Sequence, residues 1–195
     1  MFIEKKIDQI FKKNKIIKRN ILQISFDIVC EKIILDNNHK FIAKYYNNNK
    51  GKFNSVAVEA KSLKFLSGLN LTIFPNVFYF DKEILIMDFI ENDKIKPSGF
   101  DNNFLETILN IHSFSNNKFG FKFDTQIGGM KQPNKFNSNW ANFFSNQRLL
   151  IMYEAISGTN PMPNEINIKI EKLIKKITDF VPDNPRPSLV HGDLW

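Results

Sequence analysis

Residues 189–195 read Leu189-Val190-His191-Gly192-Asp193-Leu194-Trp195 (LVHGDLW), and the sequence ends there. A short apolar run that enters a glycine turn and presents an acid has the form of a catalytic loop. Gly192 permits a sharp backbone turn. Asp193 beside it suits a carboxylate that orients a hydroxyl and accepts its proton. His191 reads as a packed, hydrogen-bonded structural residue. Three such residues also recur as an ordinary turn, so the rest of the chain decides between the readings.

Moving outward, Pro182, Pro185 and Pro187 break the chain before the loop. Ahead of them, apolar spacing predicts helices over 104–114, 140–156 and 166–180, with a Gly- and Asn-bearing loop, FGFKFDTQIGGMKQPN, between the first two. The amino-terminal half has another period. After a helix over residues 2–12, the stretches ILQISF, DIVCEKIIL and KFIAKYY are short, β-branched and aromatic, and read as an antiparallel meander turning at Asp36-Asn37-Asn38. The polar loop NNNKGKFN (47–54) precedes a helix that Ser55 caps and Gly68 ends. NVFYF and EILIMDFI then make two strands around Asp81-Lys82. The expected class is α+β, with a β-rich lobe over 1–90 and a helical lobe over 91–195.

Composition narrows the function. With 43% hydrophobic and 24% charged residues, the 195-residue chain fits a soluble globular protein. No apolar run approaches the ~20 residues that span a bilayer, and lysines interrupt the amino terminus where a signal peptide would be apolar. No membrane partner is expected. The single cysteine, Cys30, fits a reducing compartment, so a cytoplasmic location is expected. Cys30 itself reads as a small buried residue rather than a redox switch. The net charge of +7 invites a nucleic-acid reading. Against it, the only arginines are Arg19, Arg148 and Arg186, and the abundance of Lys, Asn, Ile and Phe follows A/T-rich codons. No nucleic-acid partner is expected, and salt-dependent DNA binding would be the sign of one.

Lys44 lies at the end of KFIAK, and Glu59 lies about a turn into the next helix. In protein kinases a strand lysine holds nucleotide phosphates and a helix glutamate pairs with it, fixing its direction. A surface lysine with an unrelated glutamate is the plain alternative. A mostly-β lobe followed by a mostly-α lobe is also the outline of a protein-kinase-like fold.

Three motifs in order sharpen this outline. They are Phe119-Gly120-Phe121 with Asp124, Ile127-Gly128, Gln132 and Asn134; then Trp140, Phe143-Phe144 and Arg148-Leu149; then His191 to Trp195. Together they resemble the fructosamine kinase (ketosamine-3-kinase) family, which is related to aminoglycoside and choline phosphotransferases and has a protein-kinase-like two-lobed fold. The resemblance runs from about Ser25 onward. It implies phosphorylation of a sugar hydroxyl in small-molecule or protein-bound ketosamines, the adducts of reducing sugars with amines, using ATP and Mg²⁺. By matching position it implies that Lys44 holds phosphates and Glu59 orients it, that Asp88 and Ile90 line the adenine hinge, and that Asp193 is the catalytic base. Asp124, Gln132, Asn134, Trp140 and Arg148 would shape the acceptor side, with a purely structural role as the alternative.

Two departures stand out. Ser25-Phe26 occupies the place of the family's nucleotide-loop glycines, where a Phe could crowd the phosphates. The family's metal-binding Asn and Asp would also follow residue 195. The sequence as it stands therefore holds the base without the metal ligands, and reads as a carboxyl-truncated member with no appreciable turnover. That reading also implies bare apolar surface around Trp195 and the last helices; a pseudokinase or decayed gene product that at most binds nucleotide is the alternative.

Overall fold

The computed structural model describes residues 2–48, 53–71, 73–92, 102–182 and 185–192. Asp193, Leu194 and Trp195 therefore lie outside the described residues, as do residues 93–101, which take in most of the connector ENDKIKPSGF. The chain divides into two compact units, Met1–Ile95 with Thr125–Lys131, and Lys96–Asp124 with Gln132–Trp195.

The first unit is built on an antiparallel sheet of β1 (Ile16–Ser25), β2 (Ile28–Leu35), β3 (Lys40–Tyr46), β4 (Val77–Phe80) and β5 (Ile84–Asp88), ordered β1-β2-β3-β5-β4. Two helices cover its faces. The helix α1 (Phe2–Ile10) presents Ile7 to Ile33, Leu35, Phe41, Ala43, Ile84 and Ile86. On the other face α2 (Ser55–Ser67) presents Val56, Ala60 and Leu63 to Ile42, Leu85 and Met87. This explains why Ile84, Leu85, Ile86 and Met87 form an unbroken apolar run: a strand covered on both faces has no polar side to show. On β2, covered chiefly on one face, every second residue from Val29 to Leu35 is buried.

One of those buried residues is an acid. Glu31, 3% exposed, takes both ends of the Arg19 guanidinium at 2.8 Å and the Tyr45 hydroxyl at 3.0 Å. Such a two-pronged pair holds the guanidinium above its ordinary value, the Glu31 hydrogen bonds outweighing the burial that works against it. Arg19 also reaches Glu4 of α1, while Lys6 pairs with Asp81 and Glu83 on the β4–β5 turn. Ion pairs thus fasten α1 to β1 and to the β4–β5 turn.

The second unit contains α3 (Asn102–Ser113), α4 (Trp140–Phe144), α5 (Leu150–Thr159) and α6 (Asn164–Lys175). A short hairpin, β6 (Thr125–Ile127) and β7 (Met130–Gln132), lies between α3 and α4 and groups mainly with the first unit.

Several sequence expectations shift. The first strand starts at Ile16, not Ile21, and Lys44 lies inside β3, which runs on to Tyr46. The cap of α2 is Asn54, whose side chain accepts from Ala57 N, while Ser55 is the first helical residue. Gly68 stays right-handed at φ −66, and the left-handed residue is Asn70 at φ 58. The helix expected over 140–156 runs from Trp140 to Thr159 but passes through a π turn at Ser145–Leu149. The last one ends at Lys175, with a separate 3₁₀ turn at Ile177–Asp179.

Two measurements test this frame. Arg19→Ala leaves the Glu31 carboxylate buried without its cation, so urea denaturation should show a loss of about 3 kcal/mol; an unchanged midpoint would contradict the role given to the pair. Burial works to raise the Asp81 carboxyl, but bonds from Lys6, the Glu83 and Ile84 N–H groups and Tyr79 outweigh it and hold it below 3.8. Its contribution is present at neutral pH and is lost as pH falls below about 4. Asp81→Asn should flatten that decline in thermal stability.

Candidate functional site

Along β3 the side chains alternate, with Phe41, Ala43 and Tyr45 toward α1 and Ile42 and Tyr46 toward α2. Lys44 shares the second face by the same period. There its Nζ donates to Glu59 Oε1 at 2.6 Å, with each side chain about a quarter exposed, at 24% and 25%. The α2 face explains the meeting. Val56, Ala60 and Leu63 anchor the helix on the sheet, and Glu59 emerges beside Ala60 at the level of β3. The lysine thus keeps a fixed direction while a quarter of it stays open to a ligand.

Cys30 sits directly opposite Lys44 in the ladder and is half-buried, less than the sequence suggested. Burial pushes its thiol up, Lys44 pulls it part of the way down and Glu59 adds to the rise. A thiol held above its ordinary value favours the protonated form at neutral pH.

The segment leaving β5 is pinned at three places. Asp88 accepts from Asn76 N at 2.9 Å and Asn76 Nδ2 at 2.8 Å, while its own N–H donates to Asn76 O at 3.0 Å. The Lys32 ammonium lies 3.7 Å from the centroid of Phe89. Lys40 pairs with Glu91. The Asp88 carboxylate is thus spent on the fold, and Ile90 is 57% exposed. What this segment can offer a ligand is backbone. Asn76 and Lys32 escaped the sequence reading because their partners are 12 and 57 residues away, as the numbering shows.

In the second unit Arg148 organises the acceptor-side candidates. Carried on the π turn, it donates to Pro133 O and to Asn134 Oδ1, both at 2.6 Å, and its guanidinium lies 4.6 Å from the Phe143 ring. Asn134, 4% exposed, also donates its backbone N–H to Asp124 Oδ1 at 3.1 Å and its amide to Phe123 O at 3.1 Å. Trp140 packs 5.2 Å from Phe119 and 5.8 Å from Phe143, centroid to centroid. The structure thus brings Asp124, Asn134 and Arg148 into one polar network and gives Trp140 to an aromatic core. Gln132 ends β7.

The lead into the Asp193 loop is anchored in the same unit. Leu189 N donates to Phe114 O at 2.8 Å, Asn116 N donates to Pro187 O at 2.9 Å, and Ser115 and Ser188 form an antiparallel bridge. Arg186 donates to Ser113 O and Ser115 Oγ. Gly192 has φ 84, the left-handed turn that its residue type allows. His191 is exposed, not packed as the sequence suggested. Among the described residues no group of three or more His, Cys, Asp or Glu side chains is placed to hold a metal ion.

A five-stranded antiparallel sheet carrying a lysine paired to a helix glutamate, joined to a helical unit, defines a protein-kinase-like fold. Solved structures agree: a Thermobifida fusca protein assigned by name to the fructosamine-3-kinases superposes with a TM-score of 0.81 at 19% identity, over 98% of this chain and 66% of that one. The streptomycin–ATP complex of APH(2'')-IIa superposes at 0.54 and 13% identity, over 91% and 58%. The fructosamine kinase family model matches residues 3–195, and the chain belongs to that family. It is 29% identical over 154 residues to the "probable ketoamine kinase" of Pasteurella multocida strain Pm70, covering 76% of this chain and 52% of that protein. To its Vibrio vulnificus counterpart it is 25% identical over 191 residues, covering 89% and 64%. The chain thus spans about half to two-thirds of the length of these relatives.

Gly120 tests the second unit's network. At φ 121, a Cβ there would stand 2.7 Å from Asn134 O and 3.0 Å from Phe136 Cα. Gly120→Ala should cost about 2 kcal/mol or more in urea denaturation. Gly158→Ala, where a Cβ meets nothing within 4 Å in α5, should be neutral or stabilising by up to about 1 kcal/mol.

Proposed function

We propose that the protein acts as an ATP-dependent ketoamine kinase, transferring phosphate to a sugar hydroxyl of a glycated amine. The observation that carries the reading is the Lys44–Glu59 pair, 2.6 Å apart and partly open on the α2 face of the sheet. Family membership gives the pair its chemistry.

In this reading the Lys44 ammonium holds the nucleotide's phosphates, and Glu59 keeps it from swinging into solvent. Glu59 does so at little cost to affinity, because a carboxylate shared with an ammonium still leaves two donors for phosphate oxygens. The adenine edge lies against the backbone of the segment from Asp88 to Ile90, which Asn76 and Lys32 keep in place. Asp193 orients the sugar hydroxyl and accepts its proton as the bond from that oxygen to the γ-phosphorus forms and the bond from phosphorus to the departing ADP oxygen breaks. The polar network of Asp124, Asn134 and Arg148 shapes the acceptor side by fixing the loop from Gly120 to Asn134. Magnesium, when bound, neutralises charge on the transferred group. No helix among the described residues is long and apolar enough to cross a membrane. A cytoplasmic setting, without nucleic acid as a partner, suits a small-molecule or protein-bound ketoamine as acceptor.

Calorimetric titration with ATP and magnesium tests the nucleotide half. Lys44→Met should weaken ATP binding by at least about tenfold and alter folding stability by less than about 1 kcal/mol, because a partly exposed ion pair contributes little to the fold. Equal ATP affinity in the variant would remove the basis for the reading. Phosphorylation of a fructosylated lysine, followed by phosphorus NMR, tests transfer. ATP binding without transfer would leave the chain as a nucleotide-binding module.

A further inference from the structure

The β1–β2 connection has two residues, closed by the pairing of Ser25 with Ile28. Phe26 (φ 50) and Asp27 (φ 60) both adopt the left-handed conformation. Such turns favour Asn and Gly, and a bulky aromatic there persists only when its surroundings hold it. The surroundings are a second turn of the same kind. Gly128 (φ 52) and Gly129 (φ 78) join β6 to β7, and their backbone lies along the Phe26 ring. A Cβ on Gly129 would stand 3.1 Å from Phe26 Cγ and 3.2 Å from Phe26 Cβ, and one on Gly128 would stand 3.7 Å from Phe26 Cζ. Any larger residue at 129 would strain the positive φ and make the ring give by a few tenths of an ångström. Burial is not the reason for the contact, because Phe26 remains 68% exposed.

Position supplies a reason. Asn47 N donates to Asp27 O at 2.8 Å, tying the turn to the end of β3, and Cys30, two residues past Ile28, faces Lys44. At the other side β6 packs against α2, the helix that carries Glu59. The β6–β7 hairpin thus runs from α2, which carries Glu59, to the β1–β2 turn, which Asn47 ties to the end of the strand that carries Lys44.

We propose that Phe26 is a positioning residue for the nucleotide's polyphosphate, and that its contact with Gly129 clasps the β1–β2 turn in one conformation. This rests on the kinase reading above and deepens it. A glycine loop is ordered when phosphates arrive, whereas here the aromatic ring orders the turn beforehand, so its N–H groups face the phosphates without an ordering cost. The device concerns phosphate and leaves the base untouched.

The test compares ATP with adenosine on the full chain by calorimetry. Phe26→Gly should weaken ATP binding by about tenfold while leaving adenosine binding unchanged. Phe26→Tyr should retain the affinity of the unaltered chain. Gly129→Ala, which displaces the ring, should lose as much as Phe26→Gly, and the double variant should lose no more than either alone. A thermal melt confirms that each variant folds. ATP affinity unaffected by Phe26→Gly, losses that add in the double variant, or an equal loss for adenosine would each overturn the clasp. Failure of the unaltered chain to bind ATP would overturn the kinase reading and the clasp with it.

Discussion

The Lys44–Glu59 ion pair depends on a chain of constraints that begins in the sheet. Lys44 points toward α2 because β3 alternates strictly between an apolar cluster under α1 and another under α2. A slip of one residue would put it among Ile7, Ile33 and Ile84, where an ammonium would be expensive to hold. The register is fixed from both sides, by β2 through Cys30 opposite Lys44 and by β5 through Leu85. The helix is fixed by Asn54 at its start and by small or branched residues on its inner face. A pair that contributes little to stability is held by packing that contributes a great deal, which leaves the ammonium available for chemistry.

The same division of labour recurs around the site. Residues with charge or hydrogen-bonding power hold backbone in place, and the backbone is what faces outward. Asn76 holds Asp88, Lys32 lies on Phe89, and Arg148 takes the Pro133 carbonyl together with the Asn134 side chain. Arg148 can do this because its carrier is a π turn, which shifts the helix register by one residue where the arginine leaves. Burial lowers the basicity of that guanidinium, and its bonds run to neutral oxygens and a ring face. The arrangement rigidifies the loop from Gly120 to Asn134.

The sequence carried the α+β class and both helices of the first unit, because these follow from local period; the Lys44–Glu59 pairing, between residues 15 apart, was legible only through the likeness to kinases. Boundaries were less legible. Asn54 and Ser55 are both good caps, and only the bond from Ala57 N decides between them. The Arg19–Glu31–Tyr45 cluster was invisible, since nothing in a strand's alternation reveals that one inward position holds an acid. The π turn was equally hidden, for it answers to Pro133 and Asn134 across a loop. Phe26 could be read only as an obstruction until the Gly128-Gly129 turn appeared beside it. The role of Asp193 rests on its motif alone, as it lies outside the described residues.

The central claim is that Lys44, among many lysines, is the one that meets the nucleotide's phosphates. An acyl-phosphate derivative of ATP acylates whichever lysine amine lies against its phosphate chain, and peptide mass spectrometry then locates the modified residue. The account predicts dominant labelling of Lys44, suppressed by excess unmodified ATP. Labelling spread over surface lysines such as Lys169 and Lys172, or concentrated at another residue and still suppressed by ATP, would contradict it.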